Sequence, residues 1–251
     1  MHVLNSPSGL EIYYRGPDLK KEPLPTFFYF ALSGSESLFQ DPYNQPVVFL
    51  PQGMRAFSFT IPGHGPSLEN TKAMGWWAQA MMQGENIIAE FVGQSLQNID
   101  YLIQEGYVDP LHMSVGGLSR GAFIAAHLAA RDARLKTVLG FSPLTQLSAL
   151  SEFHEISHTS LIQNLNLKQL APDLVGKQLR FYVGNRDIRV GTDRCFDFIQ
   201  TLVNASYAQG WRSPPVELMI FPSIGHKGHG TPPHIFQEGI EWLKVSTLDL
   251  H

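Results

Sequence analysis

One stretch constrains the rest of the chain: Leu111-His112-Met113-Ser114-Val115-Gly116-Gly117-Leu118-Ser119-Arg120-Gly121, continuing as Ala122-Phe123-Ile124-Ala125-Ala126-His127-Leu128-Ala129-Ala130. Leu111, Met113 and Val115 form a short apolar run that glycines stop, and Ala122 to Ala130 is rich in strong helix formers with bulky residues at helical spacing. The stretch predicts strand, tight turn, helix, with Ser119 at the corner. Gly117-Leu118-Ser119-Arg120-Gly121 fits G-x-S-x-G, in which small flanking residues let a strained backbone push a serine hydroxyl clear of the sheet. The N-terminus of the following helix offers free amide groups and the positive end of a dipole, both suited to an oxyanion. The competing reading is a glycine-rich loop whose serine only caps the helix.

A chain of 251 residues is long enough to bury a large core, as one α/β domain or two small ones. The rest of the order decides for one. Leu10 to Tyr14 alternates and reads as an early edge strand, and Pro17 to Pro25 is a charged loop bounded by prolines. Thr26 to Leu32 is apolar without alternation, which predicts a strand buried on both faces, as in a parallel sheet. Ser33-Gly34-Ser35-Glu36-Ser37 then reads as a flexible segment able to aim backbone amides into a cleft. Arg55 to Thr60 is the next strand, stopped by the turn residues Ile61-Pro62-Gly63-His64-Gly65-Pro66. Glu85 to Glu105 carries Ile88, Phe91, Val92, Leu96, Ile99, Leu102 and Ile103 at three- and four-residue steps, a long amphipathic helix ended by Gly106. Strands over Leu135 to Phe141, Leu179 to Val183 and Val216 to Phe221 alternate with helices over Arg194 to Ala208 and Pro233 to Val245, the last with Pro232 or Pro233 in its first turn. This order predicts a mostly parallel, doubly wound sheet in one domain over residues 1–251, with residues 144–178 as a small helical excursion or cap.

In such a sheet the loops at the carboxyl ends of the strands face one crevice. Three reactive side chains fall there, in the order Ser119, Asp187, His226. A serine hydroxyl needs an imidazole to take its proton, and the imidazole needs a carboxylate to fix its tautomer and stabilise its cation. Asp193 and Asp197 are rival acids inside the following helix. His229 in Gly225-His226-Lys227-Gly228-His229-Gly230 is the rival base, with His226 favoured because it lies nearer the strand end. The oxyanion hole is expected from the backbone of Arg120 and from Gly34 or Ser35. His64 reads as a turn residue. The stripe Met74, Trp76, Trp77, Met81, Met82 reads as core, with an acyl-pocket lining as the alternative.

Composition excludes whole classes of partner. The balance of 18 basic against 22 acidic residues, net −4, gives no case for a nucleic-acid or anionic-membrane partner. The lone Cys195 excludes an internal disulfide framework, reads as a small core residue, and suits a reducing cytoplasm. Met1 to Pro7 lacks the basic start and apolar run of a signal peptide, and no stretch approaches a membrane span. Ten histidines without metal-ligand spacing give no zinc site, so neither metal nor cofactor is expected.

Gly117-Leu118-Ser119-Arg120-Gly121, Gly184-Asn185-Arg186-Asp187-Ile188-Arg189-Val190 and Phe221-Pro222-Ser223-Ile224-Gly225-His226 together resemble the α/β-hydrolases. The second stretch is similar to the G-x-x-D-x-R-V signature of the prolyl oligopeptidase and dienelactone hydrolase branch, and Pro62-Gly63-His64-Gly65 to a P-G-H-G turn common in these enzymes. The resemblance implies the α/β-hydrolase fold, with Ser119 as nucleophile, Asp187 as acid and His226 as base. It also implies a small ester-like substrate, since the chain has no room for the propeller domain that gates peptide access in prolyl oligopeptidases. Where many relatives have His-Gly after the third strand this chain has Ser33-Gly34, which leaves the second oxyanion donor open. A thioester, lactone or short-peptide hydrolase would use the same residues, and a silent relative that only binds a ligand is the alternative outside catalysis.

Overall fold

A computed structural model describes residues 2–65 and 68–248. Met1, Pro66 at the end of the predicted turn, Ser67 and residues 249–251, with His251 among them, lie outside the described residues.

Eight strands form one sheet in the order β1-β2-β4-β3-β5-β6-β7-β8. They are β1 (His2–Leu4), β2 (Ile12–Arg15), β3 (Leu24–Phe30), β4 (Arg55–Phe59), β5 (Val108–Leu118), β6 (Thr137–Phe141), β7 (Gln178–Gly184) and β8 (Val216–Phe221). β1 and β2, and β2 and β4, run antiparallel; every other neighbouring pair is parallel. The helices are α1 (Gly34–Phe39), α2 (Gln45–Val48), α3 (Ala73–Met82), α4 (Ile87–Gln104), α5 (Arg120–Arg131), α6 (Ser160–Asn164), α7 (Ala171–Leu174), α8 (Thr192–Ala208) and α9 (Pro233–Leu248).

The apolar runs are explained by burial on both faces. Along β3, Phe28 and Phe30 belong to one core cluster, with Phe91 of α4 and Phe123 of α5. Phe27 and Tyr29 belong to the other, with Phe236 and Leu243 of α9. β7 divides in the same way: Phe181 and Val183 face the first cluster and Tyr182 the second. Side chains alternate across a strand, so a strand covered on both sides needs apolar residues at every position. α4 starts on Asn86, whose side chain accepts from the Ala89 N–H at 3.0 Å, and Gly106 follows its end at φ +73°, the glycine-terminated stop expected of a helix C-terminus.

Three expectations are corrected. The Leu10 to Tyr14 strand is not at the edge, because β1 pairs outside it. The segment after β3 is helical rather than a free loop: Ser33 caps α1 through the Glu36 N–H while the Glu36 carboxylate accepts from Ser33 N–H, a reciprocal capping box. β5 starts earlier than its apolar run suggests, since its first half is half-exposed and carries Pro110. In the stripe over α3, Met74, Trp77 and Met81 are core and Trp76 and Met82 face outward. Residues 144–178 form short 3₁₀ and α segments, including α6 and α7, before β7. Among the described residues no helix is long and apolar enough to cross a membrane.

Candidate active site

The turn from β5 to α5 is built by close approach. A side chain at Gly121 would overlap the Phe30 carbonyl, and one at Gly117 would overlap the backbone of Gly121, so only glycine lets α5 descend onto β3 and β5. Ser119 sits between them at φ +55°, ψ −113°, a region that costs a non-glycine residue of order 1–3 kcal/mol and persists only when its surroundings over-determine it. They do. The Ser119 N–H donates to Phe141 O at 2.8 Å, and Ser119 O accepts from Leu144 N–H at 3.2 Å. The serine side chain makes no capping bond to its helix, which removes the competing reading and leaves the hydroxyl free.

That hydroxyl lies 2.9 Å from Nε2 of His229, and Nδ1 of His229 lies 2.7 Å from Oδ2 of Asp187. The expectation of His226 is therefore corrected. The chain leaves β8 through Ile224, reverses over Gly225, Lys227 and Gly228, all at positive φ, and returns with Gly230 paired to Ile224. His226 lies on the outer limb, exposed, and His229 on the returning limb over Ser119. Distance along the chain from the strand end was the wrong guide; three glycines spaced through residues 225–230 were the available sign of a reversal.

Asp187 is buried, and its other oxygen, Oδ1, accepts from the N–H of Arg189 at 2.9 Å and of Val190 at 3.1 Å. The two loops carrying Asp187 and His229 are laced together: Arg186 N–H to Ser223 Oγ at 2.7 Å, Ser223 N–H to Asn185 Oδ1 at 3.1 Å, and Ile188 N–H to Lys227 O at 2.9 Å. A carboxylate accepts only, so Nδ1 carries the imidazole proton and Nε2 is left to accept from the serine. Of the rival acids, Asp197 pairs with Lys168 at 2.8 Å. Glu152 in the excursion holds Arg189 by two bonds, at 2.6 and 3.0 Å, and this pairing pulls the Glu152 carboxyl down to about 2.

Ser119, Arg120 and His229 line a pocket of about 400 Å³, otherwise mostly apolar through Leu32, Pro42, Leu118, Ile224 and Phe236. The first residue of a helix has no intrahelical acceptor for its N–H, which fits the backbone of Arg120 for an oxyanion. Gly34 and Ser35 do not reach this pocket. The Gly34 N–H donates to Thr60 Oγ1 at 3.1 Å, and Ser35 lines a separate cleft with Tyr13 and Glu36. At the end of β3 it is Ala31 and Leu32 that face Ser119, their N–H groups sharing Ser37 Oγ at 3.0 and 3.1 Å.

His64 does more than turn the chain. It is buried, its Nε2 accepts from Arg120 Nη1 at 2.9 Å, and its Nδ1 lies 2.7 Å from Asn70 Oδ1. Asn70 in turn donates to Glu36 Oε1 at 2.6 Å. An arginine only donates, so Nε2 must hold a lone pair and His64 is neutral. Burial drives its pKa down to about 4. Arg120 is likewise pushed down, to about 10, by burial and then by the nearby Arg189. For Glu36, burial acts upward, but the hydrogen bonds from Ser33 and Asn70 outweigh it and hold the carboxyl below its usual value. Sequence reasoning missed this chain of contacts because two of its three links span 56 and 34 positions, Arg120 to His64 and Asn70 to Glu36.

No family model matches the chain, and no curated protein matches it. Solved structures do. TT1662 from Thermus thermophilus superposes with a TM-score of 0.70 at 19% identity over 99% of this chain and 99% of its own. A protein from Klebsiella pneumoniae provisionally assigned as a dienelactone hydrolase gives 0.70 at 14% over 100% of this chain and 98% of its own. Dipeptidyl peptidase 4 from Porphyromonas gingivalis gives 0.66 at 15%; it covers 98% of this chain, which spans only 35% of that larger protein. With the sheet order and the elbow, these likenesses give the α/β-hydrolase fold.

Proposed function

From a chain of the α/β-hydrolase fold whose Ser119, His229 and Asp187 are joined by hydrogen bonds, we propose a serine hydrolase that cleaves a small carboxylic ester. The observation that carries the reading is the unbroken contact from Ser119 Oγ through both ring nitrogens of His229 to buried Asp187. Ser119 Oγ adds to the ester carbonyl carbon as its proton passes to His229 Nε2. The carbon–oxygen bond to the leaving group then breaks, and His229 returns that proton to the departing alkoxide. Water adds to the acyl-enzyme, gives a proton to His229, and the acid is released as Ser119 recovers its hydrogen. Asp187 fixes the imidazole and stabilises its cation throughout. The Arg120 N–H serves the developing oxyanion.

The apolar lining suits an uncharged acyl chain beside the reacting carbon, and a thioester or lactone would meet the same groups. The free, buried thiol of Cys195 agrees with a reducing cytoplasm as its compartment. The test is turnover of p-nitrophenyl esters of increasing acyl length by the wild type and by Ser119→Ala. The expected loss in the variant is on the order of 10³-fold or more. A folded wild type that turns over no ester, thioester or lactone would contradict the reading.

A further inference from the structure

Arg120 is a cation in an expensive place. It is the first residue of α5, where the helix dipole is positive, and it lines a mostly apolar pocket. Among the described residues no carboxylate pairs with it. Its Nη1 is held by neutral His64 and by the carbonyl of Asn70, at 2.9 and 3.4 Å. The acid nearest along the hydrogen-bond chain, Glu36, stands two residues further off, behind His64 and Asn70. Among the described residues, the other guanidinium nitrogens, Nε and Nη2, have no hydrogen-bond partner, and neither is among the sealed, unpartnered side-chain atoms. The guanidinium is thus fixed at one corner by a neutral bracket while two donors remain open on a residue that lines the same pocket as Ser119.

We propose that the pocket takes a substrate bearing a carboxylate, which the open side of the Arg120 guanidinium binds beside the scissile ester. Two donors in a planar fork match two carboxylate oxygens, and a charge-assisted pair in a mostly apolar pocket is strong because little water competes. Among the described residues that line the pocket, Arg120 is the one arginine or lysine, which suits a monoanion. The neutral His64 has a specific part: it locks the guanidinium without cancelling its charge, as a carboxylate in its place would. The word substrate rests on Ser119 being the nucleophile; recognition of the carboxylate does not, and the two separate in the test.

Two matched pairs of esters measure the preference: p-nitrophenyl hemiadipate against p-nitrophenyl hexanoate for a charge on the acyl side, and 4-acetoxybenzoate against 4-acetoxybenzamide for a charge on the leaving group. After subtraction of spontaneous hydrolysis, kcat/KM is expected to favour the anion at least about tenfold in one pair. The ratio should fall to near one in Arg120→Gln and be partly kept in Arg120→Lys. In parallel, calorimetry on Ser119→Ala compares hexanoate with hexanamide, with tighter binding of the carboxylate expected and lost when Arg120→Gln is added. Equal handling of anion and neutral partner in both ester pairs and in binding overturns the inference, even if Ser119 takes a fluorophosphonate and neutral esters turn over. Carboxylate binding that depends on Arg120 without any turnover or labelling would keep the recognition site and remove the nucleophile.

Discussion

Ser119 holds a conformation that a side chain resists, and the two backbone bonds that fix it, to Phe141 and Leu144, belong to the strand and loop beside it. Strain of this kind aims the hydroxyl rather than stabilising the fold. Asp187 answers it from the other end: two N–H groups fix one oxygen, so the second has a single direction in which to accept, toward His229. Asp187→Asn keeps the shape but presents an amide where an acceptor is needed. It is expected to lower kcat for an ester on the order of 10³-fold or more, with little change in the melting temperature. A loss of less than tenfold would show that the carboxylate does not orient the base.

The element on which the site depends is the β5–α5 corner. Gly117 and Gly121 are there for proximity to Phe30 and to one another, not for flexibility. Gly121→Ala forces a methyl group into the Phe30 carbonyl, backbone against backbone, and should cost about 2–4 kcal/mol of stability by chemical denaturation, with greater loss of activity than of fold. Gly75 in α3, where a Cβ meets nothing, is the control: Gly75→Ala should be neutral or stabilising. Equal effects of the two substitutions would count against the packing argument. The corner was legible from residues 111–130 because its strand, turn and helix are all local patterns. The contact of His229 with Ser119 was not, because Gly225, Lys227 and Gly228 reverse the chain and a reversal exchanges which of two histidines faces inward. The expected place of Gly34 and Ser35 differs for a related reason: Ser33 and Glu36 start a helix three residues apart, and neither Gly34 nor Ser35 lines the pocket of Ser119.

For the molecule as a whole, the sheet and its two covering layers follow from unalternated apolar strands, whose side chains divide between two cores. The long-range polar chain from Arg120 to Glu36 had no such signal, since no periodicity links Arg120, His64, Asn70 and Glu36. Its pH dependence does follow from the fold. His64 and His127 are both buried neutral with pKa values pushed down to about 4, chiefly by desolvation. Between about 6.5 and 4 the unfolded chain takes up protons that the folded chain does not, so stability falls as pH drops through that window. Melting temperature should decline from pH 6.5 to 4, and the slope should be shallower in His127→Gln, which cannot titrate. A flat profile in the wild type would mean that these histidines are not buried neutral.

The most direct test of the central claim is covalent labelling by a fluorophosphonate, located by peptide mapping, in the wild type, His226→Ala and His229→Ala. The account predicts an adduct on Ser119 in the wild type and in His226→Ala, and labelling slowed on the order of 10³-fold or more in His229→Ala. Undiminished labelling of His229→Ala together with loss in His226→Ala would contradict it.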